Sequence, residues 1–207
     1  MIQLKKRIVE IAYKHKLGHL GSYFSALEII DSIYKKMNED DIFILSSGHA
    51  ALALYVCLEK YKKQNAEVLF LKHGGHPHWD EEAGIFCSTG SLGLGITIAL
   101  GRAVANLNRK VYVLISDGEA AEGSVWEALK TIIEQNITNI EVHANINGYA
   151  AYREVDINYL ESRLKTFLPN IHIHHTTVEH FSFLKELNAH YHIMNEENYQ
   201  EALNILK

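Results

Sequence analysis

Short apolar runs alternate with helical patterns along the chain, which is typical of an α/β protein. Residues 111–115 form an unbroken apolar run rich in β-branched side chains, as expected for a strand buried on both faces of a parallel sheet. A helical pattern follows at residues 126–134, preceded by a capping-box match from Ser124 to Glu127, and a second apolar run occupies residues 140–144. These segments predict a strand-helix-strand crossover, whose two strands end at the same edge of a sheet.

The remaining elements follow from the same two periodicities. Further helices are predicted at residues 3–16, 25–37, 50–63, 94–106, 157–167 and 182–190 and from residue 197 onward, and further strands at residues 42–45, 170–175 and around 192. A chain of 207 residues is long enough to bury a core of this kind. We therefore predict a single α/β domain over residues 1–207, with a mostly parallel central sheet and helices on both faces.

Two oxygen-bearing side chains follow the two strands of the crossover. Asp117 stands at the end of the first strand, and Asn147 follows the second, thirty residues later. Magnesium takes six hard oxygens, which one carboxylate, one amide oxygen, one backbone carbonyl, two phosphate oxygens and a water would supply. The pattern predicts half of a magnesium-diphosphate site, although Asp-Gly after a strand is by itself also a common turn.

The surroundings of these two residues carry a family motif. Asp117 begins Asp-Gly-Glu, followed by Glu-Gly at 122–123, Trp-Glu-Ala at 126–128 and Asn-Gly at 147–148. Four glycine-containing segments precede it in order: Leu-Gly-His-Leu-Gly at 17–21, Ser-Ser-Gly-His-Ala at 46–50, Gly-His-Pro at 75–77 and Ser-Thr-Gly-Ser-Leu-Gly-Leu-Gly at 88–95. Over roughly residues 8–152 the chain resembles the diphosphate-binding half of transketolases, which are thiamine-diphosphate enzymes. It is most similar to split transketolases, whose N-terminal and C-terminal halves are separate chains.

The resemblance implies roles for particular residues. It implies that His19, His49 and His76 are catalytic, lining a funnel over the thiazolium and the diphosphate, with His49 also binding the cofactor. A histidine beside glycine is by itself more often structural, and these are three of thirteen. The spacing of the glycines at 90, 93 and 95 does not fit a dinucleotide fingerprint. The resemblance implies instead that the backbone of residues 91–93 hydrogen-bonds the aminopyrimidine. The residues of this segment are Ser91, Leu92 and Gly93.

The resemblance also assigns the diphosphate and metal groups. Asp117 and Asn147 are implied to bind the metal, which is Mg²⁺ or alternatively Ca²⁺ or Mn²⁺, with the backbone carbonyl of Tyr149 as third protein ligand. Asp117, Gly118, Glu119 and Asn147 are the implied cofactor-binding residues of this segment. Glu122 is implied to face the partner chain and to act in a carboxylate network between active sites. A carboxylate in the first turn of a helix is also favoured by the helix macrodipole without any function.

The resemblance covers one half of a two-part enzyme. The family's activating glutamate belongs to a pyrimidine-binding domain, which is absent here, so a C-terminal transketolase-like subunit is expected as partner, in an α2β2 heterotetramer. The expected reaction is transfer of a two-carbon ketol unit between sugars or sugar derivatives. Two alternatives stay open: a subunit of a thiamine-diphosphate-dependent 2-oxo acid decarboxylase or synthase, and a catalytically inert regulatory half.

Several residues depart from the family pattern and put the substrate in doubt. Ser116 replaces the first glycine of the metal motif, and Asn145 stands where an aspartate is usual. His78 follows Pro77 where the family often has glutamate. These changes suggest a specialised ketol-transfer enzyme acting on a less common sugar.

Composition restricts the class of protein. The net charge of −5 argues against a nucleic-acid binder, which needs a basic face. Because no apolar run approaches eighteen residues and no signal-peptide pattern is present, a cytoplasmic protein without membrane association is expected. Cys57 and Cys87 fit no paired-cysteine pattern and are expected to be reduced thiols. The histidines at 172, 174, 175, 180, 190 and 192 are compatible with a second metal site or with a half-buried strand.

Overall fold

Four parallel strands form the centre of the protein, which the computed structural model describes over residues 1–150 and 152–207. Within that part of the chain the strands are β1 (Ile42–Leu45), β2 (Val111–Ser116), β3 (Ile140–Ile146) and β4 (His172–His175), and they lie in this order across the sheet. All neighbouring pairs are parallel. The predicted parallel α/β fold is confirmed, and the carboxyl ends of the strands share one edge.

Eight α-helices of the described residues surround the sheet. They are α1 (Ile2–Lys14), α2 (Leu20–Lys36), α3 (Ala51–Lys62), α4 (Ala66–His73), α5 (Leu94–Ala105), α6 (Gly123–Glu134), α7 (Ile157–Phe167) and α8 (Glu196–Ile205). Short 3₁₀ turns occupy Gly48–Ala50, Gly118–Ala121 and Glu186–His190. No helix in the described ranges has the length and apolar character that crossing a membrane requires.

Both faces of the sheet are covered, which explains the unbroken apolar run of β2. Tyr112 and Leu114 point into a core shared with α1, α2 and α3. Val113 and Ile115 point into a second core, shared with α5, α6 and α7. Because successive side chains of a strand alternate between faces, a strand covered on both sides is apolar at consecutive positions.

Some predicted elements differ from the structure. The predicted capping box is wrong, because α6 begins at Gly123 and the Ser124 hydroxyl donates instead to the carbonyl of Gly93, at 3.0 Å. Helix α4 is an element that the sequence pattern does not predict; it begins after Asn65, whose side chain accepts a hydrogen bond from the backbone of Val68.

The C-terminal segment also departs from prediction. The expected helix at residues 182–190 is reduced to the 3₁₀ turn Glu186–His190, and no strand forms around residue 192. This turn packs against the start of α2: a Cβ added at Gly21 would meet Ala189 at 3.1 Å. The segment therefore takes its conformation from α2, whereas its own hydrophobic pattern predicts a helix followed by a strand.

A buried ion cluster stabilises the packing of α2 against α3. The carboxylate of Asp31 accepts hydrogen bonds from Lys60 at 2.6 Å, from Tyr61 at 2.8 Å and from Lys35 at 2.7 Å. Burial alone would raise the pKa of Asp31, but these three donors outweigh it and hold the pKa at about 2. The stability that this carboxylate contributes is therefore present above about pH 4 and is lost as the pH falls toward 2.

We expect Asp31→Asn to lower the free energy of unfolding by about 2 kcal/mol at pH 7, because the donors lose a charged acceptor. The difference from the unsubstituted protein should shrink between pH 4 and pH 2, as measured by urea denaturation across that range. Asp40→Asn is the control. Asp40 is exposed and lies between α2 and β1, so this substitution should change the free energy of unfolding little. A difference for Asp31→Asn that stays constant with pH would contradict this interpretation.

Candidate functional site

A cavity of about 210 Å³ opens at the carboxyl edge of the sheet. Ligands of open α/β sheets bind at this edge. Eight of the predicted site residues line the cavity: His19, His49, His76, Leu92, Asp117, Gly118, Asn147 and Tyr149. The other four, Ser91, Gly93, Glu119 and Glu122, do not line it.

Asp117 connects the ends of β2 and β3. Its Oδ2 accepts hydrogen bonds from the backbone of Asn147 at 2.9 Å and of Gly148 at 2.8 Å, and its Oδ1 accepts one from Gly118 at 3.1 Å. Asp117 is only 4 % exposed, and this burial, opposed by the three backbone donors, raises its pKa to about 6. No lysine, arginine or histidine in the described part of the chain forms an ion pair with it. A buried carboxylate without a protein cation is well suited to a divalent metal ion.

The loop after β3 brings Asn147 and Tyr149 to this edge, where both residues line the cavity. Asn147 Oδ1 accepts a hydrogen bond from the backbone of Tyr149 at 3.0 Å, which fixes the orientation of the amide. Gly148 has φ +89°, and its carbonyl accepts a hydrogen bond from Val155, so the loop turns back on itself. Since a carboxylate, an amide oxygen and a backbone carbonyl are hard donors, the donor set fits Mg²⁺.

The rings of His19, His49 and His190 lie close together in the wall of the cavity. The ring centroids of His19 and His190 are 4.2 Å apart, those of His49 and His190 are 5.4 Å apart, and those of His19 and His49 are 5.7 Å apart. Burial, and after it the neighbouring histidines, lower the pKa of His19 to about 4 and that of His49 to about 3. Near neutral pH each of these two rings is therefore neutral, with one N–H donor and one acceptor nitrogen.

His19 has two unusual features for a residue in this position. Its backbone lies in the left-handed region, at φ 62°, which is uncommon for a residue other than glycine and concentrates at functional sites. Its Nδ1 is buried and has no hydrogen-bond partner among the described residues. The backbone N–H of His19 donates to the carbonyl of His190 at 2.9 Å, so this strained position is held by the C-terminal segment.

Sequence reasoning missed His190, which the structure places in the cavity. It lacks the glycine neighbours that indicated the other histidines, and the sequence shows it only as one of several C-terminal histidines. Ser22 and Ser25 of α2 also line the cavity. They lie inside a helix and carry no local signal of function, so only the contact of α2 with the sheet edge reveals them.

The backbone of Gly93 in the glycine loop before α5 is bonded within the chain. Its N–H donates to Glu119 Oε1 at 2.9 Å, and its carbonyl accepts from the hydroxyl of Ser124, so neither group is free for the aminopyrimidine that the resemblance implies. Gly93 has φ +78°, and an added Cβ would lie 2.5 Å from Ser124 Oγ. Leu92 is the residue of this loop that reaches the cavity, whereas Ser91 is exposed.

Glu119 lies beneath the cavity and is fully buried. Its Oε1 also accepts a hydrogen bond from the hydroxyl of Ser46 at 2.6 Å, and its Oε2 accepts one from the backbone of Ser116 at 3.1 Å. Burial raises its pKa, while these donors lower it. Glu119 thus joins the ends of β1 and β2 to the glycine loop, and Glu122, three residues later, is exposed.

A separate cluster lies toward the amino-terminal ends of β3 and β4, where Glu141 and His172 line part of a cavity of about 340 Å³. Glu141, His143 and His172 offer ligand atoms within 4.8 Å of one another. The Glu141 carboxylate is already paired with Lys36 and with Lys110. The rings of His143 and His172 stack at 15° with centroids 4.7 Å apart, so their lone pairs run parallel and do not converge on one ion. We therefore favour the half-buried strand over a metal site.

Comparisons with known proteins identify relatives of this chain. The family described as "Transketolase, thiamine diphosphate binding domain" matches residues 4–168. The chain is 35 % identical over 156 residues to one of the subunits of apulose-4-phosphate transketolase from Phocaeicola vulgatus, covering 66 % of this chain and 55 % of that protein. It is 32 % identical over 145 residues to the 6-deoxy-6-sulfo-D-fructose transketolase subunit SqwG of Clostridium sp. (strain MSTE9), covering 60 % of this chain and 53 % of that protein.

A solved transketolase from Leishmania mexicana has the same fold, with a TM-score of 0.73 and 19 % identity. The match covers 99 % of this chain and 40 % of that one. The chain spans about half the length of the relatives that are named as transketolase subunits.

Proposed function

This chain belongs to the family of transketolase thiamine diphosphate binding domains, and we propose that it is the diphosphate-binding subunit of an enzyme that transfers two-carbon ketol units between sugars or sugar derivatives. One observation carries the proposal: Asp117 accepts a hydrogen bond from the backbone of Asn147 at one edge of the sheet. Both residues line a cavity that neutral histidines also line. In this proposal residues 1–207 act as one cofactor-binding domain.

The metal and the diphosphate are held at the carboxyl edge of the sheet. Asp117, the amide oxygen of Asn147 and the carbonyl of Tyr149 bind Mg²⁺, or Ca²⁺ or Mn²⁺ in its place. Gly118, which lines the same cavity, would bind the diphosphate, while Glu119 would act indirectly by fixing the loops through its hydrogen bonds. Thiamine diphosphate, when bound, supplies the nucleophilic carbon for ketol transfer.

The histidines act on the sugar. His19, His49, His76 and His190 line the cavity, and the rings of His19 and His49 are neutral near pH 7 because burial lowers the pKa of both. A neutral imidazole can donate a hydrogen bond from its N–H to one sugar oxygen and accept a hydrogen bond at its other nitrogen from a sugar hydroxyl. The unpaired Nδ1 of His19 is available for such a contact.

A second polypeptide completes the site. Two relatives are named as single subunits of transketolases, and this chain spans about half of each. The partner carries the pyrimidine domain with its activating glutamate, and two copies of each chain form an α2β2 heterotetramer. The exposed Glu122 lies on the surface that meets the partner.

The proposed function is tested on the complex of this chain with the pyrimidine-domain subunit that a neighbouring gene should encode. We expect ketol transfer from ketose donors to aldose acceptors, with apulose 4-phosphate and 6-deoxy-6-sulfo-D-fructose among the donors to examine, since two relatives are named for them. Products are identified by mass spectrometry. Turnover of pyruvate without turnover of ketoses would replace the proposal by a 2-oxo acid enzyme, and absence of cofactor binding would indicate an inert half.

A further inference from the structure

The two departures from the family motif near Asp117 are neighbours in space. Ser116 of β2 and Asn145 of β3 are opposite each other in the register of the parallel strands. Both residues line the cavity. Their side chains therefore alter the same part of the wall, directly before the residues that would bind the metal.

The amide of Asn145 is held in one orientation. Its Nδ2 donates to the hydroxyl of Ser25 at 3.0 Å, and its Oδ1 accepts from the hydroxyl of Thr176 at 2.5 Å. Asn145 is 4 % exposed. The neutral amide of Asn145 adds no further negative charge to a wall that already contains the carboxylate of Asp117.

The hydroxyl of Ser116 is buried and has no hydrogen-bond partner among the residues that the structure describes. Ser116 is 7 % exposed, and its Oγ makes no hydrogen bond with any residue in the described part of the chain. Its backbone N–H is bound to Glu119, so the side chain alone remains available. A Cβ added at Gly118 would lie 3.9 Å from this hydroxyl, which locates the hydroxyl at the loop that follows Asp117. Buried hydroxyls are rarely left unpaired, because the lost hydration is then not compensated.

We infer that the Ser116 hydroxyl donates a hydrogen bond to a phosphate oxygen of the ligand held at Asp117. This inference rests on the proposed function, since it requires a phosphate group at that edge of the sheet. A glycine at this position, as in the family motif, offers no side-chain donor. Ser116 thus adds a contact to the diphosphate that this chain makes and that the family pattern lacks.

The test is calorimetric titration of the full chain with inorganic pyrophosphate in the presence of Mg²⁺. We expect Ser116→Ala and Ser116→Gly to bind about 10-fold more weakly than the unsubstituted chain, because a hydrogen bond to a charged group is lost. The two variants should agree, since they differ in volume but share the loss of the hydroxyl. Ser162→Ala, at an exposed position of α7, is the matched control and should bind as the unsubstituted chain does.

Thermal unfolding of the free chain separates binding from structure. Removing an unpaired buried hydroxyl should leave the unfolding midpoint of Ser116→Ala unchanged or raise it, while the affinity falls. A structural serine would lower both. The inference is overturned if both variants bind as tightly as the unsubstituted chain, or if affinity and midpoint fall together. If the unsubstituted chain binds no pyrophosphate, the proposed function and this inference fail together; if Asp117→Ala abolishes binding and Ser116→Ala does not reduce it, this inference alone fails.

Discussion

Replacing Asp117 by alanine should abolish the magnesium-dependent binding of thiamine diphosphate. The carboxylate is the one charged group among the three proposed metal ligands, and it is 4 % exposed in a wall with no compensating protein cation. Substitution of residues that merely orient the ligands of a metal already costs about 10–100-fold in affinity. We therefore expect a loss of more than about 100-fold, measured by titration of the two-subunit complex with cofactor at saturating Mg²⁺.

Asp117→Asn removes the charge of the side chain and keeps its shape. The amide keeps one acceptor oxygen for the loop but cannot neutralise a divalent ion, so cofactor affinity should also fall. The folded-state pKa of Asp117 is raised to about 6. Its contribution to stability is therefore complete below about pH 4 and is lost as the pH rises through 6.

The effect of pH on stability is measured on the chain without its partner. The unsubstituted chain should lose stability between pH 4 and pH 7 at this group, whereas Asp117→Asn should lack that component, as measured by urea denaturation. Asp40→Asn, at an exposed position, is the control for a general effect of charge. Retention of full Mg²⁺-dependent cofactor affinity by Asp117→Ala would refute the proposed metal site.

Replacing Glu119 by alanine should cause the largest loss of stability. Its carboxylate accepts hydrogen bonds from the Ser46 hydroxyl and from the backbone N–H groups of Gly93 and Ser116. The substitution leaves all three donors buried without an acceptor. We expect the free energy of unfolding to fall by about 3–5 kcal/mol, the range typical when one partner of a buried charged network is removed.

Glu122→Ala is the matched control for stability, because Glu122 lies three residues away and is exposed. It should change the free energy of unfolding of the isolated chain by less than about 0.5 kcal/mol. The loss of free energy of unfolding for Glu119→Gln should lie between those for Glu119→Ala and Glu122→Ala. The glutamine amide keeps one acceptor oxygen, but its NH₂ group faces the remaining donor. A loss below about 1 kcal/mol for Glu119→Ala, measured by urea denaturation, would show that this network does not hold the loops together.

The parts of the fold that could be predicted are those with a strong local pattern. The bounds of β1 and α7 agree with prediction, and β2 extends one residue beyond it. Buried strands and amphipathic helices can be recognised from periodicity, because each repeats the same environment every two or every three to four residues. No such pattern predicts helix α4, and in the segment after β4 the pattern predicts a helix and a strand that the structure does not contain. Their conformations depend on a capping side chain and on contact with α2.

Some residues of the candidate site could also be predicted from the sequence, and others could not. Asp117 and Asn147 could be paired in advance, because a crossover between parallel strands brings their carboxyl ends to one edge. The support that Glu119 gives could not be predicted, since its three donors come from positions 46, 93 and 116 and no local pattern connects them. His190 belongs to the site for a similar reason, through a contact with His19 from the far end of the chain.

The amino-acid sequence by itself determined the parallel α/β architecture, the family and the edge of the sheet at which Asp117 and Asn147 meet, because periodicity, motif order and topology are sufficient for these. The tertiary structure alone decided that Ser116 lies opposite Asn145, that Glu119 is a buried support and that His190 completes a group of histidines. These relations join residues distant in the chain through burial and hydrogen bonding. They arise only when the packed helices exclude water and leave each polar group dependent on the partners that folding brings to it.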